Sequence, residues 1–350
     1  MDKVRLGFVG VGFMGQAAHL KNYVTVPGCQ VVAICELREG LGRKVASRYG
    51  VPRVYKSHTE MLEAEELDGI VAAQPFRRHS VLVPELLQAG VPIFIEKPLA
   101  ASVEAGERIV SAVHRSATWL MVGYHKRSDP AIAWGKAEID RLKQSGELGA
   151  LRYVRILMPA GDWIAGGDSD VIRTDEPMPD LAAEPPPSNM NEQTHKAYVA
   201  FVNYYIHQVN LMRYMLGEPY RVAYADPSGV LLAAEGRSGV PGIIEMSPYR
   251  TTLDWQESVL VAFERGYVKV ELPAPLASNR PGTVEVLRDP GGGTTPQTIQ
   301  PHLPSVHAMR QQAINFVSAI RGESRPPCEA AEALEDLKVA RDYIRLAQGN

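Results

Sequence analysis

An apolar run, Val4-Arg5-Leu6-Gly7-Phe8-Val9, leads without a break into Gly10-Val11-Gly12-Phe13-Met14-Gly15, and a helix-compatible stretch follows over residues 16–24. A strand, a G-x-G-x-x-G turn and a helix in that order leave the chain few ways to fold. The first glycine makes the tight turn, the second lets the backbone approach a pyrophosphate, and the third lets helix and strand pack closely. The helix N-terminus then faces the phosphate charge. The spacing therefore predicts a dinucleotide cradle at Gly10, Gly12 and Gly15, with Phe13 and Met14 beside it. A second apolar strand, residues 29–36, ends at Glu36, about 20 residues beyond the last glycine, where a carboxylate grips the adenosine ribose. Such a carboxylate accepts from the ribose hydroxyls and repels a 2′-phosphate, which favours NAD over NADP. Arg38, two residues on, keeps NADP open, because a guanidinium pairs well with that phosphate.

The 350 residues exceed one ordinary hydrophobic core and imply two domains. With 37 basic and 40 acidic residues the net charge is −3, which argues against nucleic acid or an anionic membrane surface as partner. Cys29, Cys35 and Cys328 form an odd set with no CxxC, and read as reduced thiols rather than a disulfide framework or a zinc site. No metal is expected. The charged start and following apolar run imitate a signal peptide, but glycines interrupt the run and no small-residue cleavage site follows. No stretch reaches membrane-span length. The expectation is a cytoplasmic protein.

Strand and helix signals keep alternating. Residues 68–75 form a third apolar strand, 79–90 a helix, 91–98 a fourth strand, 102–116 a helix and 118–127 a fifth strand. This pattern predicts a doubly wound parallel sheet, with ligands at the carboxyl ends of its strands. Two strand ends then matter. Gln74 and Pro75, with His79 four residues later, follow the third strand; Glu96-Lys97-Pro98 ends the fourth. A lysine just past the apolar run Pro92-Ile93-Phe94-Ile95 is not a packing choice. Strand-end lysines are ordinarily solvated, yet this one shares a sheet edge with the glycine turn.

At these motifs the chain resembles the Gfo/Idh/MocA oxidoreductases, named for glucose–fructose oxidoreductase and inositol dehydrogenase. The glycine turn, the acid ending strand two, Pro75 with His79, Glu96-Lys97-Pro98, and Gly123 with Arg127 occur in that family's order. Residues 316–327, with the helical run that follows, are similar to its C-terminal end. The resemblance implies a Rossmann domain over residues 1–127 and an α+β domain over 128–350 with a large, open, mostly antiparallel sheet. A C-terminal helix over 328–347 would pack back near the Rossmann domain. It implies NAD(H) or NADP(H) as cofactor, bound by Gly10, Gly12, Phe13, Met14, Gly15, Glu36, Arg38, Gln74, Pro75, His79, Glu96 and Lys97. Lys97, before a proline bond that is commonly cis in the family, would lie near the nicotinamide and the substrate hydroxyl. It also implies a homodimer or homotetramer.

Beyond residue 127, stretches such as 152–163, 242–250, 257–266 and 267–272 look like strands of an extended sheet. Residues 166–193 are rich in Pro, Asp and Gly, and read equally as a surface insertion or a substrate lid. Residues 289–304 read as flexible. In Asn203-Tyr204-Tyr205-Ile206-His207-Gln208-Val209-Asn210, the residues Asn203, His207 and Asn210 share one helical face beside an apolar stripe of Val202, Ile206 and Val209. The family's helix carries D-x-G-x-H-x-x-D here. The histidine is kept, both acids are asparagines, and Tyr205 replaces the glycine, adding bulk and a phenol that suggest a substrate unlike simple inositol. An imidazole near a substrate hydroxyl takes its proton as hydride leaves. Three readings stay open: His207 as the acid–base residue aided by Lys97; proton transfer through Lys97 or a tyrosine with His207 only binding; or a structural His207. Candidate substrate contacts are Tyr124, Lys126, Arg127, Asp162, Trp163, Asn203 and His207. Asp129 and the pair Asp254-Trp255 are softer candidates.

The expected activity is NAD-dependent hydride transfer to or from a ring hydroxyl or ketone of a sugar, glycoside or cyclitol, a polyhydroxylated small molecule. The alternatives are redox-assisted glycoside cleavage and a non-catalytic dinucleotide-binding sensor.

Overall fold

The computed structural model describes residues 3–166, 170–246, 249, 251–252 and 255–349. Asp254 lies outside them. The chain divides into two compact units: residues 1–124, 166–191 and 309–337 form the first, and residues 125–165, 192–308 and 338–350 the second. A single cut at residue 127 therefore does not describe the chain, because two later segments return to the nucleotide unit.

The first unit is built on a parallel sheet of β1 (Val4–Val9), β2 (Cys29–Cys35), β3 (Arg53–Tyr55), β4 (Gly69–Ala72), β5 (Ile93–Ile95) and β6 (Leu120–Val122), ordered β3-β2-β1-β4-β5-β6. The order reverses at β1, which pairs with both β2 and β4, and that reversal opens a crevice at the strand ends. Six strands replace the five expected. The extra one, β3, is a three-residue edge with no fully buried position, so it carries no apolar run to announce it. Between the strands lie a π-helical turn (Gly15–Leu20) running into α1 (Lys21–Tyr23), then α2 (Glu39–Tyr49), α3 (His58–Ala64), α4 (His79–Leu86) and α5 (Val103–Arg115). Serines start two of them. Ser57 accepts from the N–H groups of Thr59 and Glu60, and Ser102 from that of Ala105, satisfying donors that a helix leaves orphaned. Late in the chain α8 (Ala308–Ile320) delivers Phe316, fully buried, edge-on to Tyr23, Phe94 and Trp119 at centroid distances of 6.2, 5.8 and 5.7 Å. The first turns of α9 (Ala330–Ala347) set Leu334 and Leu337 against Gly106 of α5.

The second unit carries an eight-stranded sheet. Its strands are β7 (Leu151–Leu157), β8 (Tyr220–Ala225), β9 (Leu231–Gly236), β10 (Pro241–Glu245), β11 (Glu257–Phe263), β12 (Gly266–Leu272), β13 (Thr283–Arg288) and β14 (Gln297–Ile299). They run in the order β14-β13-β12-β11-β7-β10-β9-β8, antiparallel except for the parallel pair β7 and β10. The stretch read as flexible, 289–304, thus contains a short edge strand. On β11 alternate residues are buried, Glu257, Val259, Val261 and Phe263, as one covered face demands. The cover comes from α6 (Pro130–Ser145) and α7 (Glu192–Leu216). Val202, Ile206 and Val209 of α7 are fully buried, as the helical spacing predicts. A Cβ on Gly242 of β10 would meet Met212 Sδ at 2.8 Å, so this glycine lets α7 press onto the sheet.

Candidate active site

In the first unit, the expected cofactor residues follow the ends of β1, β2, β4 and β5. Gly10 has φ +92°, and a Cβ there would meet Gln74 Nε2 at 2.2 Å, so only glycine fits the turn. A Cβ on Gly15 would stand 2.6 Å from the Gly10 oxygen, which holds the helix start against the turn. At Gly12 a Cβ would meet only Arg38 Nη2, at 3.6 Å. The backbone is therefore open on that side, as the approach of a pyrophosphate requires, and the cradle fits a dinucleotide. Phe13 and Met14 are half-buried at its rim.

Glu36 Oε2 accepts from the Val11 N–H at 3.1 Å, and Oε1 from Arg38 Nε at 2.8 Å. Arg38 is thus already paired with the carboxylate expected to grip the ribose. Gln74 donates to the Val9 oxygen at 3.2 Å and accepts from Arg78 at 2.9 Å, which joins the ends of β1 and β4. Pro75 is exposed and precedes the turn Phe76–Arg78. His79 differs from expectation. It is fully buried, and its ring nitrogens lie 3.1–3.2 Å from the backbone oxygens of Gln74, Pro98 and Leu99. Burial lowers its pKa despite those bonds, so it is a neutral tie between two strand-end loops rather than a group presented to a ligand.

The Lys97-Pro98 bond is cis, as the resemblance implies. Glu96 beside it is buried and bonded to His19 at 2.5 Å and to the Lys97 N–H at 3.1 Å. Burial alone would push the Glu96 carboxyl up, but the His19 bond and the charges of His19 and Lys97 hold it below its ordinary value. A fixed carboxylate thereby anchors the backbone that carries half-buried Lys97. Cys29, Cys35 and Cys328 are free and buried, and burial pushes the thiols of Cys29 and Cys35 up to about 12. These two cysteines are packing residues.

In the second unit, His207 is half-buried on α7, and its ring stands edge-on to that of buried His125, with centroids 4.5 Å apart. Asn203, one turn earlier, is exposed. Asn210 is buried and accepts from Arg127 Nε at 2.7 Å; the Arg127 guanidinium lies 4.5 Å from the centre of the Tyr214 ring. Arg127 is therefore engaged in packing α7. Lys126 is buried and ion-paired with buried Glu257, which also accepts from Gln208 Nε2 at 2.7 Å and Trp255 Nε1 at 3.3 Å. The network thus grips Lys126 and Gln208, the residues following His125 and His207. Tyr205 gives its hydroxyl proton to the Met246 oxygen at 2.8 Å, so the phenol expected beside a substrate ties α7 to the end of β10. Tyr124, which closes the first unit, is also buried. Asp162 is exposed and accepts from the N–H groups of Ile164 and Ala165 in a turn, while Trp163 is half-buried and its backbone oxygen accepts from Leu276.

Sequence reasoning missed His125 and Glu257. A charged residue in the inward register of an apolar strand was the available signal for Glu257, since a buried carboxylate needs a buried cation. Among the described residues, no group of three or more His, Cys, Asp or Glu is arranged to hold a metal, and no helix is long and apolar enough to cross a membrane.

Asp129 caps α6, accepting from Ala131 at 2.8 Å and from Gly282 at 3.2 Å. Burial pushes its carboxyl from 3.8 up to about 6, against the opposing pull of those bonds. The folded state therefore binds this proton more tightly than the unfolded chain. Its contribution favours folding at low pH and is lost as pH rises through about 6. Asp129→Asn removes that dependence. Relative to the parent, the variant's stability is expected to rise by about 2–3 kcal/mol between about pH 4 and pH 7. Urea denaturation at the two pH values measures it, and a pH-independent difference would contradict it.

The comparisons with known proteins agree with this geometry. Residues 4–124 match the family model described as an oxidoreductase family with an NAD-binding Rossmann fold. The chain is 27% identical over 260 residues, 70% of its own length and 67% of the relative's, to scyllo-inositol 2-dehydrogenase (NAD(+)) of Bacillus subtilis. An oxidoreductase domain protein from Kribbella flavida superposes with TM-score 0.75 at 19% identity, covering 100% of this chain and 98% of the other. Apo scyllo-inositol dehydrogenase from Lactobacillus casei gives TM-score 0.71 at 16% identity, covering 100% and 97%. At such identities the likeness speaks for the fold. Residues 4–124 thus match the NAD-binding Rossmann domain of the Gfo/Idh/MocA oxidoreductases, and the chain as a whole is similar to dehydrogenases of that family.

Proposed function

We propose that this protein catalyses reversible oxidation of a ring hydroxyl of a sugar, glycoside or cyclitol, with NAD as the preferred cofactor. The observation that carries the reading is Lys97, half-buried at the end of β5 in the unit that holds the glycine cradle, and braced by a carboxylate locked to His19. When bound, the nicotinamide supplies the hydride acceptor. The chain's own residues supply the rest. Gly10, Gly12 and Gly15 admit the pyrophosphate, Glu36 takes the ribose hydroxyls, and Lys97 stabilises negative charge developing on the carbinol oxygen. His207 carries the hydroxyl proton, its ring set by His125 and by the helix turn that Gln208 anchors to Glu257. Asn203 orients substrate by hydrogen bonding, without the acid that would raise the basicity of a histidine. The inositol dehydrogenase activity named for the Bacillus subtilis relative supports the substrate class. The proposal extends to a cytoplasmic homodimer or homotetramer.

The test is purified protein with NAD+ and a panel of hexoses, glycosides and inositols, following nicotinamide reduction and any released aglycone. Turnover of at least one ring polyol is expected. No turnover across the panel, despite measurable NAD+ binding, would overturn the proposal.

A further inference from the structure

The stretch read as either a surface insertion or a lid lies, over residues 170–191, along the first unit. Gln16, the residue after the glycine turn, holds it in two directions: Oε1 accepts from the Ile172 N–H at 2.9 Å, and Nε2 donates to the oxygens of Ile172 and Val11 at 3.1 and 2.9 Å. Farther along, Ser80 and Arg108 both bind Glu184. Between these anchors, Glu176 reaches the start of α2. Its carboxylate accepts from the N–H groups of Gly40 at 2.9 Å and Leu41 at 2.8 Å, and from Thr174 Oγ1 at 3.0 Å. A Cβ on Gly40 would meet Glu176 Oε2 at 2.9 Å, so a glycine there makes room for the approach.

We infer that Glu176 is a cofactor-specificity residue that excludes the 2′-phosphate of NADP from the adenosine end of the cradle. The guanidinium of Arg38 and the N–H groups at the start of α2 are the groups near Glu36 that would receive a 2′-phosphate. Arg38 is paired with Glu36, and the two N–H groups are taken by Glu176. The bond from the Gly40 N–H, followed by that from Leu41 and the charge of Arg38, keeps the Glu176 carboxyl below its ordinary range despite some burial, so it is charged at neutral pH. A phosphate entering here meets two carboxylates, finds its donors occupied, and pays a like-charge cost. This inference rests on the cofactor reading above and adds to it a residue far along the chain from the usual β2 acid.

The experiment measures dissociation constants of NAD+ and NADP+ by isothermal titration calorimetry for the full chain, for Glu176→Ala, and for Glu176→Gln, which keeps an acceptor oxygen. Thermal melts check that each is folded. In both variants the affinity ratio is expected to move toward NADP+ by about tenfold or more, since a single like-charge contact of this kind costs on that order. An unchanged ratio in two folded variants overturns the role of Glu176 while leaving the NAD preference standing. Equal affinity of the unaltered chain for both cofactors overturns the preference itself and this role with it.

Discussion

Lys97→Ala is expected to lower kcat/KM by about 10³-fold, the loss typical of removing one preorganised charge or acid–base group from a reacting oxygen. The half-buried side chain stands just past the end of β5, in the unit that holds the glycine turn. The fall belongs chiefly in kcat, because the charge matters most when negative charge develops on the carbinol oxygen. Lys97→Met separates charge from packing: it keeps the apolar stem, which long side chains use to cover surface, and should lose about as much activity as alanine. Steady-state kinetics on whichever polyol the panel identifies, with NAD+ affinity measured separately, reads the result. Activity within about tenfold of the parent in both variants would remove Lys97 from the catalytic assignment.

Glu257→Ala is expected to destabilise the protein by about 3–5 kcal/mol, because it strands the buried Lys126 ammonium without its counter-ion. The side chains of Lys126 and Glu257 are 5% and 0% exposed, so water does little to relieve the unpaired charge. The Gln208 amide and the Trp255 N–H lose their acceptor in the same step. Urea denaturation measures the loss. Adding Lys126→Met should recover a large part of it, since an apolar replacement of the whole pair carries no unpaired charge. A single-variant loss below about 1 kcal/mol would mean that the pair is not a net constraint. The same network grips the residues that follow His125 and His207, whose rings meet edge-on, so the double variant should regain stability before it regains activity.

The nucleotide unit was legible because its signals are local. Strands β1, β2, β4, β5 and β6 are apolar runs ended by a glycine, an acid or, after β4, Gln74 and Pro75, and the stripe Val202, Ile206, Val209 marks α7 by spacing alone. His79 shows where a motif misleads: its place in the family's order suggested ligand contact, but its neighbours in space are backbone oxygens. Tyr205, expected beside a substrate, holds Met246, and Asn210, which stands at the place of a family acid, holds Arg127.

From the order of residues alone came the strand, glycine turn and helix, the acid at Glu36, the lysine at position 97 and the helix that carries His207. Each depends on contacts within a few residues or on a periodicity that one element imposes. Tertiary structure decided the pairings with no such period. It brought Phe316 into the core of the first unit, set His125 against His207, paired Lys126 with Glu257, and placed Glu176 at the start of α2. A carboxylate bonded to backbone N–H groups well over a hundred residues away leaves no pattern in a sequence, because any residue but proline supplies the donor. Only the folded chain shows which donor it meets.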